Sequence, residues 1–392
     1  MLLSIALIIL VVMSLASISK KLKLPILVGM LLTGIILGPY VLNLLDPKIL
    51  NISNEIRKIA LIIILTRAGL GLDLSGLKRI GFRAILMCFV PATFEILLIV
   101  YLAPKVMGIS YLEAAILGSV LAAVSPAVVV PRMVKLMDEK YGTRKGIPQL
   151  ILAGSSVDDV YAIVLFSAFI AMIQGDTVSI LSFINIPISI ILGIIIGLTI
   201  STIIIKFFTL VKIEDTAKVL IVLSISFVLS FIEDSLNTSI TFSSLIAIMF
   251  IGIGLQKDYD LALNLSSKYN KLWIGAEIFL FVLVGASVNI NYLAHVGSSA
   301  FVLILIALVF RMLGVFVCLL KTDFNKNERI FTMLAYTPKA TVQAAIGGIP
   351  LALGLKCGDL VLTIAVLAIV LTAPLGAFAI DLSYKKLLTH DN

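Results

Sequence analysis

Long apolar runs fill most of the chain, and short polar stretches separate them. A helix needs about 20 apolar residues to cross the hydrocarbon core of a bilayer, and many of the runs approach or exceed that length. The pattern predicts about thirteen spans: 2–18, 25–45, 57–74, 82–103, 111–134, 147–173, 186–206, 217–233, 239–255, 271–290, 298–320, 328–353 and 359–381. We therefore expect an all-α polytopic membrane protein.

The composition agrees with this expectation and excludes several other classes. Of the 392 residues, 60% are hydrophobic and 13% are charged, and the mean hydropathy is +1.17, a balance that soluble globular domains do not have. The net charge of +8 does not indicate nucleic-acid binding, because the Lys and Arg residues fall in short clusters between apolar runs. Three Cys residues without a spacing pattern argue against a disulfide framework or a resident metal, and we expect no cofactor. His295 and His390, the only histidines, lie outside the predicted spans, which excludes an intramembrane histidine relay.

The basic clusters predict the orientation. Most Lys and Arg residues fall in loops on the side of the C-terminus, and the other side holds only Lys48, Arg57, Lys58, Lys105 and Lys356. Cytoplasmic loops of membrane proteins carry an excess of basic residues, so the N-terminus is predicted to lie outside and the C-terminus in the cytoplasm. The expected location is the plasma (inner) membrane of the cell. The first apolar run precedes its basic cluster, the reverse of a cleaved signal peptide, and is expected to be retained.

Two adjacent acids, Asp158 and Asp159, lie in the middle of the predicted span 147–173. A charged side chain at that depth costs roughly 2.5–3.5 kcal/mol on insertion scales. Two neighbouring carboxylates also repel each other, so the pair indicates a site that takes up a proton or a cation. The alternative is a structural pair satisfied by hydroxyls and a buried base. Oxygens at Ser125 and Ser155 complete a ligand set suited to a hard cation such as sodium or lithium.

Two predicted spans are interrupted by proline in the same way. The fifth carries Ser125–Pro126 at its centre and the twelfth carries Thr337–Pro338, and each has a further proline beyond. A proline inside a helix removes a hydrogen bond and displaces the preceding turn. Paired interruptions in two halves of opposite topology indicate an inverted repeat with a transport site at the breaks.

Three further charged residues inside the predicted spans complete the candidate site. Glu95 and Arg311 precede the two breaks at similar distances and are predicted to form a structural ion pair. Lys339 directly follows Pro338, and we expect it to pair with Asp158 and to compensate charge there. Asp159 is then left as the principal ion carrier.

The segments that carry these residues also resemble a known family. LAAVSPAVVVPRMV, the stretch containing SSVDDVYAI, and YTPKATVQAAIGG together resemble the monovalent cation:proton antiporter superfamily. Within it, the chain is most similar to the Asp-Asp branch, close to the animal sodium/hydrogen exchanger-like subgroup and its bacterial relatives.

The resemblance implies the sodium–proton antiporter fold, with inverted repeats, two crossed broken helices and a homodimer. It implies a core domain within about 57–173 and 271–382, and a dimerisation domain within about 1–45 and 186–255, of a single transporter unit. It also implies that Asp158 and Asp159 are the ion-binding pair. The electrogenic bacterial members have Lys where this chain has Arg311, and an arginine there speaks against a second carried proton.

The expected function is exchange of sodium or lithium for protons by competition at the Asp pair. The alternative is a sodium-coupled symporter of a small organic anion, which needs anion-binding groups. An intramembrane aspartyl protease is a weaker alternative, because it needs acids on two separate helices and Asp158 and Asp159 are adjacent. We expect no enzymatic activity.

Overall fold

A computed structural model describes residues 1–22, 24–72, 82–174, 180–235 and 242–391. Within these ranges the chain is helical, apart from loops and one isolated β-bridge. The helices are α1 (Leu2–Lys21), α2 (Ile26–Leu37), α3 (Pro47–Asn51), α4 (Ser53–Gly71), α5 (Phe82–Met107), α6 (Tyr111–Leu121), α7 (Pro126–Asp138), α8 (Ile147–Gln174), α9 (Ile180–Leu210), α10 (Asp215–Ser235), α11 (Ser244–Leu255), α12 (Tyr259–Ala286), α13 (Ile290–Leu319), α14 (Lys326–Ala335), α15 (Thr341–Ile346), α16 (Ile349–Ala352) and α17 (Gly358–Leu387).

Nine helical stretches of the described residues are long and apolar enough to cross a membrane. They are Leu2–Lys21, Arg83–Met107, Tyr111–Asp138, Ile147–Gln174, Ile188–Leu210, Asp215–Glu233, Tyr259–Ala286, Val296–Leu319 and Gly358–Leu387. Three shorter apolar helices lie at Ile26–Leu37, Ser244–Leu255 and Thr341–Ala352. The expectation of an all-α polytopic protein is confirmed, while the number of thirteen spans stays a prediction.

The chain divides into two compact units. The first comprises Met1–Ser53, Asp73–Ala162 and Phe281–Asn392, and the second comprises Asn54–Leu72 and Ile163–Leu280. All of the predicted site residues belong to the first unit. In the second unit, Arg67 donates from Nε to Asn270 Oδ1 over 2.6 Å and lies over the Trp273 ring. The predicted division into core and dimerisation domains stays a prediction.

Both predicted interruptions are present, and they touch each other. The first half breaks between α6 and α7 at residues 122–125, and the second breaks between α14 and α15 at residues 336–340. Pro126 opens α7, where its missing N–H costs no hydrogen bond and its fixed φ suits the first helical turn. The Ser125 N–H donates to the Pro338 carbonyl over 2.8 Å, so the two non-helical segments meet directly. The predicted crossing of two broken helices is confirmed.

The C-terminal segment after α17 is held against the loop between α7 and α8. Gly142 N–H donates to the Thr389 carbonyl over 2.9 Å, and Asp391 N–H donates to the Lys140 carbonyl over 2.8 Å. The Asp391 carboxylate accepts from Arg144 N–H and from Thr143 Oγ1, and these hydrogen bonds keep the pKa of Asp391 below its usual value. These contacts hold the loop that leads into α8, the helix that carries the Asp pair, against the C-terminal segment.

Candidate functional site

The Asp pair lies on α8 at the level where the two broken helices cross. Asp158 is completely buried and Asp159 is 8% exposed. A helix that ends inside the protein leaves carbonyl oxygens at its C-terminus and N–H groups at its N-terminus without helical partners. The break in the first half therefore offers acceptors at the end of α6 and donors at the start of α7. The charged side chains of the site bind to these backbone groups.

Asp158 is held by one backbone donor and one base. Its Oδ2 accepts from the Val124 N–H over 2.9 Å and from Arg311 Nη2 over 2.5 Å. Val124 lies just before α7, where the helix dipole favours a negative charge. Both contacts stabilise the ionised form of this carboxylate.

Arg311 joins four segments of the first unit through one guanidinium group. Nη1 donates to Glu95 Oε2 over 2.9 Å and to the Ala122 carbonyl, Nη2 donates to Asp158, and Nε donates to the Tyr336 carbonyl over 2.7 Å. It thus contacts two acids and satisfies a carbonyl in each of the two breaks. The predicted contact between Glu95 and Arg311 is present, and Arg311 is fully buried.

The prediction that Lys339 pairs with Asp158 is wrong. Lys339 Nζ lies 2.7 Å from Glu95 Oε1 and donates to the Leu121 carbonyl over 2.5 Å. The base beside Asp158 is Arg311, because its planar fork spans both Asp158 and Glu95, whereas the single ammonium group of Lys339 binds at the end of α6. Lys339 therefore neutralises Glu95 and caps a helix terminus.

Asp159 is the acid of this cluster that contacts no base among the described residues. The cluster contains three acids, Glu95, Asp158 and Asp159, and two bases, and both bases are engaged by Glu95 and Asp158. With every group ionised, one negative charge remains. Its place is Asp159, whose Oδ1 is buried without a hydrogen-bond partner in the described part of the chain.

Further oxygens lie at the crossing beside the acids. Asp158 Oδ1 and Ser125 Oγ are buried and have no hydrogen-bond partner among the described residues. Ser155 Oγ donates to the Leu152 carbonyl over 3.2 Å, which leaves its lone pairs able to accept. A buried oxygen of this kind calls for an explanation, and a hard cation or a proton is the partner that carboxylates and hydroxyls suit.

Gln343 is a residue of the site that the sequence did not indicate. It is completely buried on α15, and its Nε2 donates to the carbonyls of Ala123 over 2.9 Å and of Leu121 over 3.4 Å. Carbonyls 121, 122 and 123 at the end of α6 thus accept from Lys339, Arg311 and Gln343. The available signal was the break itself, because an interrupted helix needs donors for its last carbonyls.

Gly154 gives space to the side chain of Tyr336. Gly154 lies on α8 one turn before Asp158, and a Cβ placed there would overlap the Tyr336 hydroxyl. We expect Gly154→Ala to lower the unfolding free energy by about 1–3 kcal/mol, as overpacking does. The double variant Gly154→Ala/Tyr336→Phe should regain part of this loss in a thermal melt of the purified protein. A Gly154→Ala protein that melts like the wild type would contradict this packing.

Comparison with known proteins gives the family. A family model described as "Sodium/hydrogen exchanger, transmembrane" matches residues 6–382. Sodium/hydrogen exchanger 9B2 of Homo sapiens is 33% identical over 389 residues, which cover 93% of this chain and 70% of the relative. Sodium/hydrogen exchanger 9B1 of Homo sapiens is 33% identical over 359 residues, which cover 86% of this chain and 67% of that relative.

The structure is also similar to a solved one. The sodium proton antiporter MjNhaP1 from Methanocaldococcus jannaschii at pH 8 superposes with a TM-score of 0.83 at 22% identity, covering 98% of this chain and 99% of that one. At this identity the similarity concerns the fold. The fold therefore agrees with the sequence relationship. This multi-pass chain belongs to the sodium/hydrogen exchanger family of transmembrane proteins.

Proposed function

We propose that the protein exchanges sodium or lithium for protons by competition at Asp158 and Asp159. The observation that carries the proposal is the buried Asp159 carboxylate, which contacts no base among the described residues, next to an Asp158 that accepts hydrogen bonds from Arg311 and a backbone N–H. Relatives in the family are named sodium/hydrogen exchangers, which supports this function over a sodium-coupled symporter.

The site works by letting one negative charge take either partner. When the site faces the more basic side, Asp159 is deprotonated and binds the cation with Asp158 Oδ1, Ser125 Oγ and Ser155 Oγ as further oxygen ligands. When it faces the acidic side, a proton displaces the cation. No histidine and no cofactor takes part, and no covalent chemistry is required.

The charge balance favours exchange of one cation for one proton. Arg311 stays charged at any physiological pH and carries no proton. Lys339 is the other base, and its ammonium is bound to Glu95 and to the Leu121 carbonyl. Three acids and two bases leave a single charge for the transported ion to neutralise.

Assembly and location complete the proposal. We propose a homodimer with the core and dimerisation domains delimited above, in the plasma (inner) membrane, with the N-terminus outside and the C-terminus cytoplasmic. The distribution of the basic loops supports this orientation. Accessibility labelling of single cysteines placed in the loops would test it.

Purified protein in proteoliposomes distinguishes exchange from symport. A proton gradient is formed first, and sodium, lithium or potassium chloride is then added without any organic solute. Exchange predicts that sodium or lithium collapses the gradient. If sodium and lithium leave the gradient intact and the liposomes instead take up an organic anion together with sodium, the protein is a symporter and the proposal is wrong.

A further inference from the structure

Gln343 and Asp158 hydrogen-bond to opposite ends of one peptide group. Gln343 Nε2 donates to the Ala123 carbonyl oxygen over 2.9 Å, and the Val124 N–H donates to Asp158 Oδ2 over 2.9 Å. The Ala123 C=O and the Val124 N–H belong to the same planar, trans peptide and point in opposite directions. A continuous hydrogen-bonded chain therefore runs from α15, through the first break, to the Asp pair on α8.

The direction of this chain is fixed by its surroundings. Both groups next to Gln343 Nε2 are carbonyl oxygens, of Leu121 and Ala123, and carbonyl oxygens only accept. The amide of Gln343 must therefore present its NH₂ group to them, and turning it over would place its oxygen against two acceptors. Gln343 therefore donates to the Ala123 carbonyl, and the Val124 N–H of the same peptide donates to Asp158, which is the direction that stabilises a carboxylate.

Hydrogen bonds in such a chain strengthen one another. A donor bound to the carbonyl of a peptide polarises that peptide and makes its N–H a better donor, with an effect of roughly 10–30% per bond in condensed-phase estimates. The Gln343 amide also fixes the plane of the 123–124 peptide, which lies in a non-helical segment without ladder bonds of its own. Both effects act on Asp158 without any contact between Gln343 and that side chain.

None of the other charged groups around Asp158 is hydrogen-bonded to Gln343 in the described part of the chain, although Lys339 Nζ donates to the Leu121 carbonyl that Gln343 also contacts. Arg311 contacts Asp158 from α13, Glu95 on α5 and Lys339 in the second break act on it through Arg311 and its ion pairs, and Asp159 is its neighbour on α8. A change confined to the Gln343 amide therefore leaves this set of charges in place. The shorter of its two hydrogen bonds, 2.9 Å to the Ala123 carbonyl against 3.4 Å to the shared Leu121 carbonyl, acts on Asp158 through the 123–124 peptide.

We propose that Gln343 is a positioning residue that sets the balance between cation and proton at the Asp pair through the Ala123–Val124 peptide. The inference rests on the proposed exchange function and deepens it. It gives the second half of the chain a part in tuning an acid of the first half. The short helix α15 supplies the donor Gln343, and the acid that it influences is Asp158 on α8.

The test compares Gln343→Met with the wild type in the same proteoliposome exchange assay across a range of pH. Methionine keeps the length of the side chain and removes the donor. We expect the pH of half-maximal exchange to rise by about half a unit and the apparent KM for sodium at fixed pH to rise by the matching factor of about three, with kcat unchanged. The rise follows because a less stabilised Asp pair holds its proton more tightly.

Val342→Ala is the matched control, since it removes buried apolar volume from the same half helix without touching a polar group of the site. It should leave the pH profile at the wild-type position. If Gln343→Met does not fold, Gln343→Leu replaces it as a second variant without a donor. An unchanged pH profile in a folded donor-free variant, or an equal shift in Val342→Ala, overturns the inference. A wild-type protein that shows no sodium-driven proton movement overturns the proposed function instead.

Discussion

Replacing Asp159 with asparagine should reduce sodium-driven proton movement to the level of empty liposomes. Asparagine has the same shape as aspartate but carries no charge, so the site loses the one negative charge that the two bases leave unbalanced. Neither a cation nor a proton then binds there with useful affinity. Because the removed charge is buried and contacts no described base, folding should not suffer.

Cation binding to the purified variant gives a second measurement of the same prediction. A ligand at 100 times its Kd stabilises a protein by about 2.7 kcal/mol, so saturating sodium should raise the melting temperature of the wild type. The Asp159→Asn protein should lose this rise while keeping a cooperative transition. Asp138→Asn makes the same chemical change at an exposed position of α7 and should behave like the wild type. Exchange that survives in a folded Asp159→Asn protein would show that another group carries the ion.

Replacing Arg311 with leucine should have the largest effect on folding. The guanidinium donates to Glu95, Asp158 and a carbonyl in each break, so its loss leaves Asp158 buried without a base and removes a donor from both carbonyls. Removing one partner of a buried ion pair costs about 3–5 kcal/mol, a large part of the stability of a typical protein. We expect little monodisperse protein in size-exclusion chromatography of the solubilised membrane fraction.

The conservative variant Arg311→Lys separates charge from geometry. Lysine retains the positive charge, but a single ammonium group cannot span two acids and two carbonyls as the fork does. We expect a clear fall in melting temperature and in exchange rate. Arg144→Lys repeats the substitution at an exposed position and should leave both unchanged. Wild-type behaviour of Arg311→Lys would mean that the guanidinium fork does not hold the crossing together.

Two kinds of feature in the site could be predicted from the sequence: those that follow from the free-energy cost of burying a charge, and those that follow from the backbone chemistry of proline. Pro126 and Pro338 disfavour a continuous helix, and their matching places in the two halves predicted both breaks. The residue type alone would not have been enough, because Pro91 and Pro374 lie inside helices.

A buried charge is expensive, so Glu95 and Arg311 had to find each other or another partner. The partner of Lys339 was predicted wrongly, because its position next to Pro338 gives its depth but not the direction in which its long side chain reaches. Gln343 was missed because burying an uncharged amide costs less free energy than burying a charge, so its presence in an apolar run does not by itself indicate a site.

Helix ends show the same limit. The predicted span 271–290 corresponds to α12, which begins at Tyr259. The polar residues of its first turns lower the local hydropathy, although they continue the same helix. Conversely, the predicted span 25–45 contains only the helix Ile26–Leu37. Hydropathy reports how apolar a segment is, and it does not show where the backbone stops being helical.

The central claim is that a single unbalanced charge at Asp159 is exchanged between one cation and one proton. Sodium-driven proton flux in proteoliposomes, measured with the membrane potential clamped at several values by a potassium gradient and valinomycin, tests it most directly. One-for-one exchange moves no net charge, so the account predicts rates that are independent of the potential. Rates that rise or fall steadily with the potential would contradict it and would show that a second proton is carried, for which Lys339 is the base available at the site.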